Sequence, residues 1–479
     1  MGHHNHSRLT LWILLSSMVA LGHGEVARGA TPAASGAPVA NTARPVAGAR
    51  RWTAPARIVD WGSGYLSHLS LVIDGKGRGT VVASGQPKGP DSKFELHAYQ
   101  LGPGATSAVR DTVLRSGPLE VDELILRVND NGQGLVTWSE IGGVPVLASR
   151  LDGKTATFGN VATLCCTDEE EGAEVRVHRP NQVVLPDGSA LVIWEEDGKM
   201  FSMRSEGVDG HWTKPKLFAD RHCGFMGCDQ EPILAVDRLG NVTLVWTGAL
   251  KESDTEAKGV DIVAAGFDPK RGWTPGVRIV RRTGTEKRPL EMFGPRLLSL
   301  ATGPRGETLL AWSESDVLSA YRSPADGKWS KARLVSQEGI AFFPQAAIDS
   351  QGHAVIVWGD SGGGKLRAAH ATNPGDAWSE TKVVESDRSS EAIVPSLAGM
   401  ANGDILLAWG TYEARLTTYS ATMPAGTTVP LASRPDAKTG RPMISANEAG
   451  DVVVVWEEMR GERHELWMSR TVPSGQGEK

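Results

Sequence analysis

The stretch Asp237-Arg-Leu-Gly-Asn-Val-Thr-Leu-Val-Trp246 contains the pattern that decides the fold: a glycine just after a turn, then apolar residues, then tryptophan. An eighth, degenerate copy of this pattern has Gly77 followed by Ala83 in the tryptophan place. Two short apolar runs joined by a glycine-bearing turn indicate a β-hairpin, so every copy predicts a pair of antiparallel strands. The seven complete Gly-x5-Trp copies are Gly132/Trp138, Gly188/Trp194, Gly240/Trp246, Gly306/Trp312, Gly352/Trp358, Gly403/Trp409 and Gly450/Trp456.

Each repeat extends on both sides of its hairpin. The distance from Ala83 to Trp456 is 373 residues over seven steps, about 53 residues a unit, which fits the four-stranded blades of a β-propeller. Upstream, five copies begin with a proline, where a first strand residue tolerates the missing N–H: Pro180, Pro232, Pro344, Pro395 and Pro442. Downstream, a tryptophan followed by serine or threonine marks the turn between a third and a fourth strand: Trp52, Trp212, Trp273, Trp329 and Trp378.

We predict an all-β fold, a single propeller of eight four-stranded blades over residues 51–472. The eighth unit ends after its third strand, at residues 465–470, and an orphan segment at residues 52–59 precedes the first unit. The two chain ends can therefore share one blade, which removes an exposed sheet edge. Seven blades are the alternative if the unit without tryptophan is not a blade. The repeated tryptophans are interpreted as packing residues between blades, not as ligand-stacking aromatics.

Composition narrows the class of protein. The chain has 479 residues, 15 of them tryptophan, and a net charge of −6, which argues against a nucleic-acid binder or a basic membrane-surface protein. Arg8 precedes an apolar run at residues 9–21, so residues 1–24 predict a signal peptide, with a retained anchor helix as the alternative. Residues 25–50 predict a disordered Ala/Pro/Gly-rich leader, and residues 473–479 a tail. We expect a secreted or periplasmic monomer, without membrane insertion after signal removal.

All four cysteines fall in two predicted loops, which suggests two disulfides in an exported chain. A bond from Cys165 or Cys166 to Cys223 or Cys228 would clamp adjacent blades, and we favour this connectivity. The alternative joins Cys223 to Cys228 and leaves a strained bridge between the two adjacent cysteines. A zinc site that adds His222 or His178 to these cysteines matches no standard ligand spacing. We therefore expect neither a metal nor a cofactor.

The predicted loops are unequal, and the longest follow blades 2 to 4 or interrupt blade 4, which places the candidate site near blades 3–5. Carboxylates in or beside these loops could act as acid or base in glycoside chemistry: Asp168, Asp229, Glu231 and Glu195. Basic side chains there could hold an anionic group of a ligand: Arg179, His178, His222 and Arg288. Further acids follow the repeated tryptophans, with a solvated rim of charges as the alternative interpretation: Glu140, Glu195, Glu314, Asp360 and Glu457.

Three turns carry a resemblance to a known family. Residues 323–329 (Ser-Pro-Ala-Asp-Gly-Lys-Trp), 208–212 and 270–273 resemble reduced forms of the Asp-box turn, Ser-x-Asp-x-Gly-x-Thr-Trp, of sialidase-like BNR-repeat propellers. In that family the turn joins the third and fourth strands of a blade, and similar turns occur in fucose-binding propeller lectins. The chain lacks the Arg-Ile-Pro motif of sialidases, so the resemblance is architectural and no catalytic residue is carried over.

Three functions compete at this point. The first is a secreted propeller that binds a glycan or protein ligand on its loop-rich face near blades 3–5. The second is a carbohydrate-active enzyme, a glycoside hydrolase or polysaccharide lyase, that uses the loop acids. The third is a structural scaffold in an envelope assembly. The sequence contains no P-loop, Gly-x-Ser-x-Gly, His-Glu-x-x-His or EF-hand motif to choose among them, and a fold alone does not specify a function.

Overall fold

The strands of this chain form eight antiparallel sheets arranged as a ring, and no helix occurs in the described residues. All of these residues belong to one compact unit, Arg50–Lys479. The computed structural model describes residues 51–87, 92–141, 145–165, 177–196, 198–207, 211–221, 230–248, 259–283, 296–314, 316–336, 341–360, 364–386, 395–400, 404–410, 413–420, 428–434 and 437–472. The predicted signal peptide, leader and tail lie outside these residues and stay predictions.

The first four blades follow one another along the chain. Blade 1 contains β2 (Tyr65–Ile73), β3 (Gly79–Gln86), β4 (Phe94–Leu101) and β5 (Ala108–Gly117). Blade 2 contains β6 (Val121–Val128), β7 (Gly134–Glu140), β8 (Leu147–Asp152), β9 (Thr157–Phe158) and β10 (Ala162–Thr163). Blade 3 contains β11 (Val177–Val184), β12 (Ala190–Glu196), β13 (Lys199–Glu206), β14 (His211–Trp212) and β15 (Lys216–Asp220). Blade 4 contains β16 (Ile233–Val236), β17 (Val242–Gly248), β18 (Gly259–Asp268), β19 (Gly272–Trp273) and β20 (Val277–Thr283).

The other four blades complete the ring. Blade 5 contains β21 (Arg296–Thr302), β22 (Thr308–Ser313), β23 (Val317–Arg322) and β24 (Arg333–Ser336). Blade 6 contains β25 (Ala341–Ile348), β26 (Ala354–Asp360), β27 (Lys365–Ala371) and β28 (Lys382–Ser386). Blade 7 contains β29 (Ser396–Gly399), β30 (Asp404–Trp409), β31 (Arg415–Ser420) and β32 (Thr428–Pro430). Blade 8 contains β33 (Lys438–Ala446), β34 (Val452–Arg460), β35 (Arg463–Arg470) and β1 (Ala56–Gly62).

In blades 1 to 7 the strands lie in chain order from the centre outwards, whereas blade 8 runs from β33 through β34 and β35 to β1 at its outer edge. In blades 2 to 4 the outer position is one interrupted strand, because both of its pieces pair with the same third strand. The inner strands of neighbouring blades contact one another around the ring, and β2 of blade 1 also contacts β33 of blade 8. Blade 1 is complete although Ala83 replaces its tryptophan. The prediction of eight blades is therefore confirmed, and the alternative of seven is wrong.

Blade 8 closes the ring with both ends of the chain. The N-terminal strand β1 pairs antiparallel with the C-terminal strand β35, and Trp52 forms a further bridge with Thr471. Arg470, at the end of β35, is buried and donates hydrogen bonds to the carbonyls of Gly77 (3.0 Å) and Gly102 (2.8 Å) in blade 1. The predicted sharing of one blade by the two chain ends is confirmed, and Arg470 joins that blade to its neighbour.

Acidic side chains define the inner hairpin turns. Asp237 Oδ1 accepts hydrogen bonds from the backbone amides of Leu239 and Asn241, both at 2.9 Å. Gly240 follows with a φ of +83°, a conformation that side-chain-bearing residues rarely adopt. An aspartate that caps its own turn and a glycine at positive φ together explain why the repeat conserves this spacing.

The repeated tryptophans lie between blades, as predicted. All seven are at most 2% exposed. Trp138 of blade 2, for example, packs in one cluster with Val82 and Leu96 of blade 1. The tryptophans near the outer strands also join blades, because the indole N–H of Trp273 donates to Ser202 Oγ (3.0 Å) in blade 3. Tryptophan thus repeats because every blade interface needs a large apolar side chain.

The buried tyrosines predict sensitivity to alkali. Burial raises the pKa of Tyr419 to about 12, and it also raises the pKa of Tyr99. Because the unfolded phenol ionises near pH 10, the stability that these groups contribute is complete below that pH and is lost as pH rises towards 12. Phenolate absorbance and circular dichroism should therefore change together above pH 10. Reversible ionisation of all tyrosines near pH 10, without loss of structure, would contradict this burial.

Candidate functional site

Strand direction divides the ring into two faces. We call the face where inner strands begin and second strands end the loop face. The four connections on this face with ten residues or more follow β10 (13 residues), β15 (12), β17 (10) and β20 (12). They belong to blades 2 to 5, in agreement with the predicted concentration of long loops near blades 3–5.

No helix in the described residues is long and apolar enough to cross a membrane.

The structure places some of the predicted site residues at this end of blades 3 and 4. His178 lies opposite Glu195 on the neighbouring strand, and Arg179 lies in the irregularity that follows. Glu231 is exposed and stands just before the inner strand of blade 4. Asp168, Asp229, His222 and Arg288 lie outside the described residues. The catalytic and binding roles assigned to this set remain predictions.

Glu195 forms a buried ion pair with Arg221, a residue that sequence reasoning did not single out. Arg221 is 0% exposed and its Nη1 donates to Glu195 Oε2. The same guanidinium donates from Nε to the Thr247 carbonyl (3.0 Å) in blade 4 and from Nη2 to the Gln230 carbonyl (2.8 Å). Since Arg221 directly follows the outer strand of blade 3, this ion pair fixes both ends of the connection to blade 4. We assign Glu195 a positioning role in this arrangement.

Gln230 links this ion pair to blade 5. Its Oε1 accepts a hydrogen bond from the Leu297 amide at 2.6 Å. Leu297 has a φ of +52°, and Phe343 has a φ of +51° near the same point of the next inner strand. Left-handed backbone at a residue with a side chain costs about 1–2 kcal/mol and is found mainly where the surroundings enforce it. The start of the inner strand in blade 5 is therefore held by a side chain from the end of the connection between blades 3 and 4.

Three further ion pairs, on two carboxylates, anchor the loop face of blades 4 and 5. Asp261 is fully buried, and its carboxylate lies 3.0 Å from Arg278 Nη2 and 3.5 Å from Arg281 Nη1. Arg282 donates to Glu314 Oε1 at 2.7 Å, and this oxygen also accepts the indole N–H of Trp312 at 3.0 Å. The connection between blades 4 and 5 thus starts from arginines that are fixed on both neighbouring blades.

The acids that follow the repeated tryptophans share this arrangement. Each of the five has a basic partner, and four of these partners are arginine. The remaining pairs are Glu140 with Arg115 (2.5 Å), Asp360 with Arg367 (3.1 Å) and Glu457 with His464 (2.6 Å). The chemical signal in the sequence was the recurrence of an acid one or two positions after tryptophan. The basic partners of these acids occur at no regular sequence position, because they lie 7 to 32 residues before or after the acid. Sequence spacing therefore could not identify them.

Cys165 is the one cysteine among the described residues. It is buried with Val184 and Trp194 in a cluster between blades 2 and 3, and it is not a free thiol. Cys166, Cys223 and Cys228 lie outside the described residues, so the pairing of the four cysteines stays a prediction. Within the described ranges, no three His, Cys, Asp or Glu side chains are grouped so as to hold a metal ion.

The opposite end of the central channel is bridged. Arg238 Nη2 of blade 4 lies 2.5 Å from Glu448 Oε1 of blade 8, the blade across the ring. A cavity of about 380 Å³ lies at this end and is lined by inner turns that include Asp130, Asp349 and Asn447. Short turns and a cross-channel ion pair distinguish this end from the loop face.

The class of protein defined by these observations is an eight-bladed β-propeller with one loop-rich face. No family model and no curated protein matches the sequence. Among solved structures it is similar to the Dos1 propeller, with 10% identity, a TM-score of 0.55, and coverage of 86% of this chain and 95% of that one. It is also similar to a PL25 ulvan lyase bound to -[GlcA(1-4)Rha3S]- (11% identity, TM-score 0.47, coverage 71% and 90%) and to polysaccharide lyase Uly1 (9%, 0.44, 82% and 88%). At such identities these likenesses show the fold alone.

Proposed function

We propose that this protein is an exported propeller that binds a glycan or protein ligand on its loop face near blades 3–5. The observation that carries the proposal is that the long connections after β15, β17 and β20 have buried or partly buried ion pairs at their bases. Removing charges from water costs several kcal/mol per ion, so such pairs contribute little net stability. We therefore interpret them as groups that position the ends of the connections. Long segments on a rigid framework are the usual arrangement of a binding surface.

The proposal assigns contacts to particular side chains. Arg179, His178, His222 and Arg288 hold an anionic group of the ligand. A disulfide clamp between the two cysteine-bearing segments limits their movement. We further propose that the chain is exported through its N-terminal signal and is a monomer. We also propose that it is related to sialidase-like BNR propellers.

A carbohydrate-active enzyme, a glycoside hydrolase or a polysaccharide lyase, is the second candidate function. Glu231 supports it, because this carboxylate is exposed on the loop face two residues from the inner strand of blade 4. Asp168 and Asp229 would supply the second carboxylate that glycoside hydrolysis needs. Glu195 contributes indirectly in this case, through its ion pair with Arg221.

A glycan array probed with the labelled full chain tests the proposal, followed by product analysis of every hit. The variants Arg179→Ala and Arg288→Ala should each weaken binding about tenfold, the loss expected for one charge-assisted contact. Arg238→Ala, on the opposite face, is the matched control and should bind as the unmodified chain does. New products would favour the enzyme, whereas binding that only the control variant loses would exclude the proposed face.

A further inference from the structure

A second surface lies on the loop face where blades 1 and 2 meet, away from the long connections. We call it the Tyr65 surface. Its residues all stand at strand ends on this face. Tyr65 begins β2 and Phe94 begins β4. Leu119 and Glu120 lie just before β6, Asp122 is near the start of β6, and Ile141 directly follows β7. The Tyr65 surface consists of Tyr65, Phe94, Leu119, Glu120, Asp122 and Ile141.

Large apolar side chains are exposed here in one group. Tyr65 is 37% exposed, Leu119 46% and Ile141 54%. The other strongly exposed large apolar residues of the described chain lie along outer strands or, as with Leu239, on the opposite face. Contiguous exposed apolar residues with a polar rim commonly mark an interaction site, whereas single ones need no explanation.

Short contacts link several members of the group. The rings of Tyr65 and Phe94 meet edge to face, with centroids 6.4 Å apart. The backbone amide of Ile141 donates to the carbonyl of Glu120 at 2.8 Å, and Leu119 precedes Glu120 in the chain. Burial first, then the negative charge of the nearby Glu120 carboxylate, raise the pKa of Tyr65 to about 12. The aromatic pair, the two carboxylates and the backbone that carries Leu119 and Ile141 are therefore neighbours on this face.

The acids of the Tyr65 surface differ from those near blades 3–5. Glu140, only one strand away, is paired with Arg115 at 2.5 Å. Neither Glu120 nor Asp122 forms an ion pair with any residue that the structure describes, and Asp122 is exposed. Two carboxylates beside exposed apolar side chains are complementary to a cation that carries apolar neighbours.

We propose that the Tyr65 surface docks a basic, apolar segment of a partner protein. A lysine or arginine of that segment lies against the Tyr65 ring, where cation–π attraction adds to its ion pair with Glu120. Leu119 and Ile141 contact the apolar neighbours of that cation. A glycan is a poorer match, because Leu119 and Ile141 offer no hydrogen bonds to sugar hydroxyls. The net charge of −6 also favours encounter with a basic partner.

Two synthetic peptides of equal length test this inference by fluorescence anisotropy with the full chain. One alternates lysine and leucine, and the other alternates glutamate and leucine. The basic peptide should bind and the acidic peptide should not. Glu120→Gln and Leu119→Ser should each weaken binding of the basic peptide about tenfold, since a desolvated contact of this kind is worth about 1.4 kcal/mol. Val383→Ser, at an apolar residue 48% exposed on an outer strand, is the matched control and should change nothing.

Three results would overturn the inference. Absence of binding by the basic peptide at millimolar concentration is the first. The second is equal affinity for the basic peptide in the unmodified chain, Glu120→Gln and Leu119→Ser. That result would show that net charge alone attracts the peptide. The third is a glycan-array hit that Leu119→Ser abolishes while the peptide fails to bind. All substituted residues are at least partly exposed, so unchanged thermal unfolding is expected for each variant and should be checked first.

Discussion

Replacing Arg221 with methionine is expected to lower the free energy of unfolding by about 3–5 kcal/mol. The substitution keeps much of the side-chain volume but removes the Arg221 guanidinium from the buried Glu195 carboxylate. It also removes the donors to the carbonyls of Thr247 and Gln230, which join blades 3 and 4. Urea unfolding followed by tryptophan fluorescence measures the difference.

The double variant Arg221→Met, Glu195→Leu is the matched control. Because it removes both charges, it should recover much of the stability that the single variant loses. Arg238→Ala removes a half-exposed arginine and should cost about 1 kcal/mol or less. A loss of the same small size for Arg221→Met would show that the ion pair is not buried as described. Equal stability of the single and double variants would show that loss of the Arg221–Glu195 ion pair is not the cause.

Replacing Trp312 with alanine is expected to cost about 3–5 kcal/mol, because the indole fills the interface between blades 4 and 5. Trp312 is 0% exposed, and its ring packs with Val245 and Ile262 of the preceding blade. A cavity at this point removes contacts on both blades. The variant should also unfold at lower temperature in a calorimetric scan, because losing contacts at one blade interface lowers the stability of the whole closed ring.

Phenylalanine variants separate the apolar contribution from the hydrogen bond. Trp312→Phe loses the bond from the indole N–H to Glu314, whereas no protein partner accepts the N–H of Trp138 within the described residues. Trp312→Phe should therefore cost about 1 kcal/mol more than Trp138→Phe. An alanine variant that unfolds like the unmodified chain would contradict the assignment of these tryptophans to blade interfaces.

The repeat made the fold predictable because blade interfaces are chemically alike. Each interface needs a large side chain at one strand position and a glycine at one turn, so Gly-x5-Trp marks blade after blade. The closing strand was predictable for a related reason, since an unpaired third strand in blade 8 requires a partner and residues 52–59 had none. Ala83 shows that a blade can form without the tryptophan, so spacing carried more information than residue identity.

The site was less predictable because its geometry depends on residues that no repeat relates. Arg221 precedes a cysteine-bearing segment and resembles any charged loop residue in the sequence, yet it is fully buried. Its partner Glu195 lies 26 residues earlier, and the bond requires two blades to be placed correctly. The positive φ of Leu297 has no signature either, since glycine is the residue expected there. Leu119 and Ile141 form one surface through strand topology alone.

Hydrogen–deuterium exchange, measured with and without the first glycan or protein found to bind, tests the central claim most directly. The claim is that ligand is bound on the loop face near blades 3–5. The account predicts slower exchange in peptides that cover residues 163–178, 220–233 and 283–297. Protection confined to the opposite face, in peptides such as 237–241 and 349–353, would contradict it.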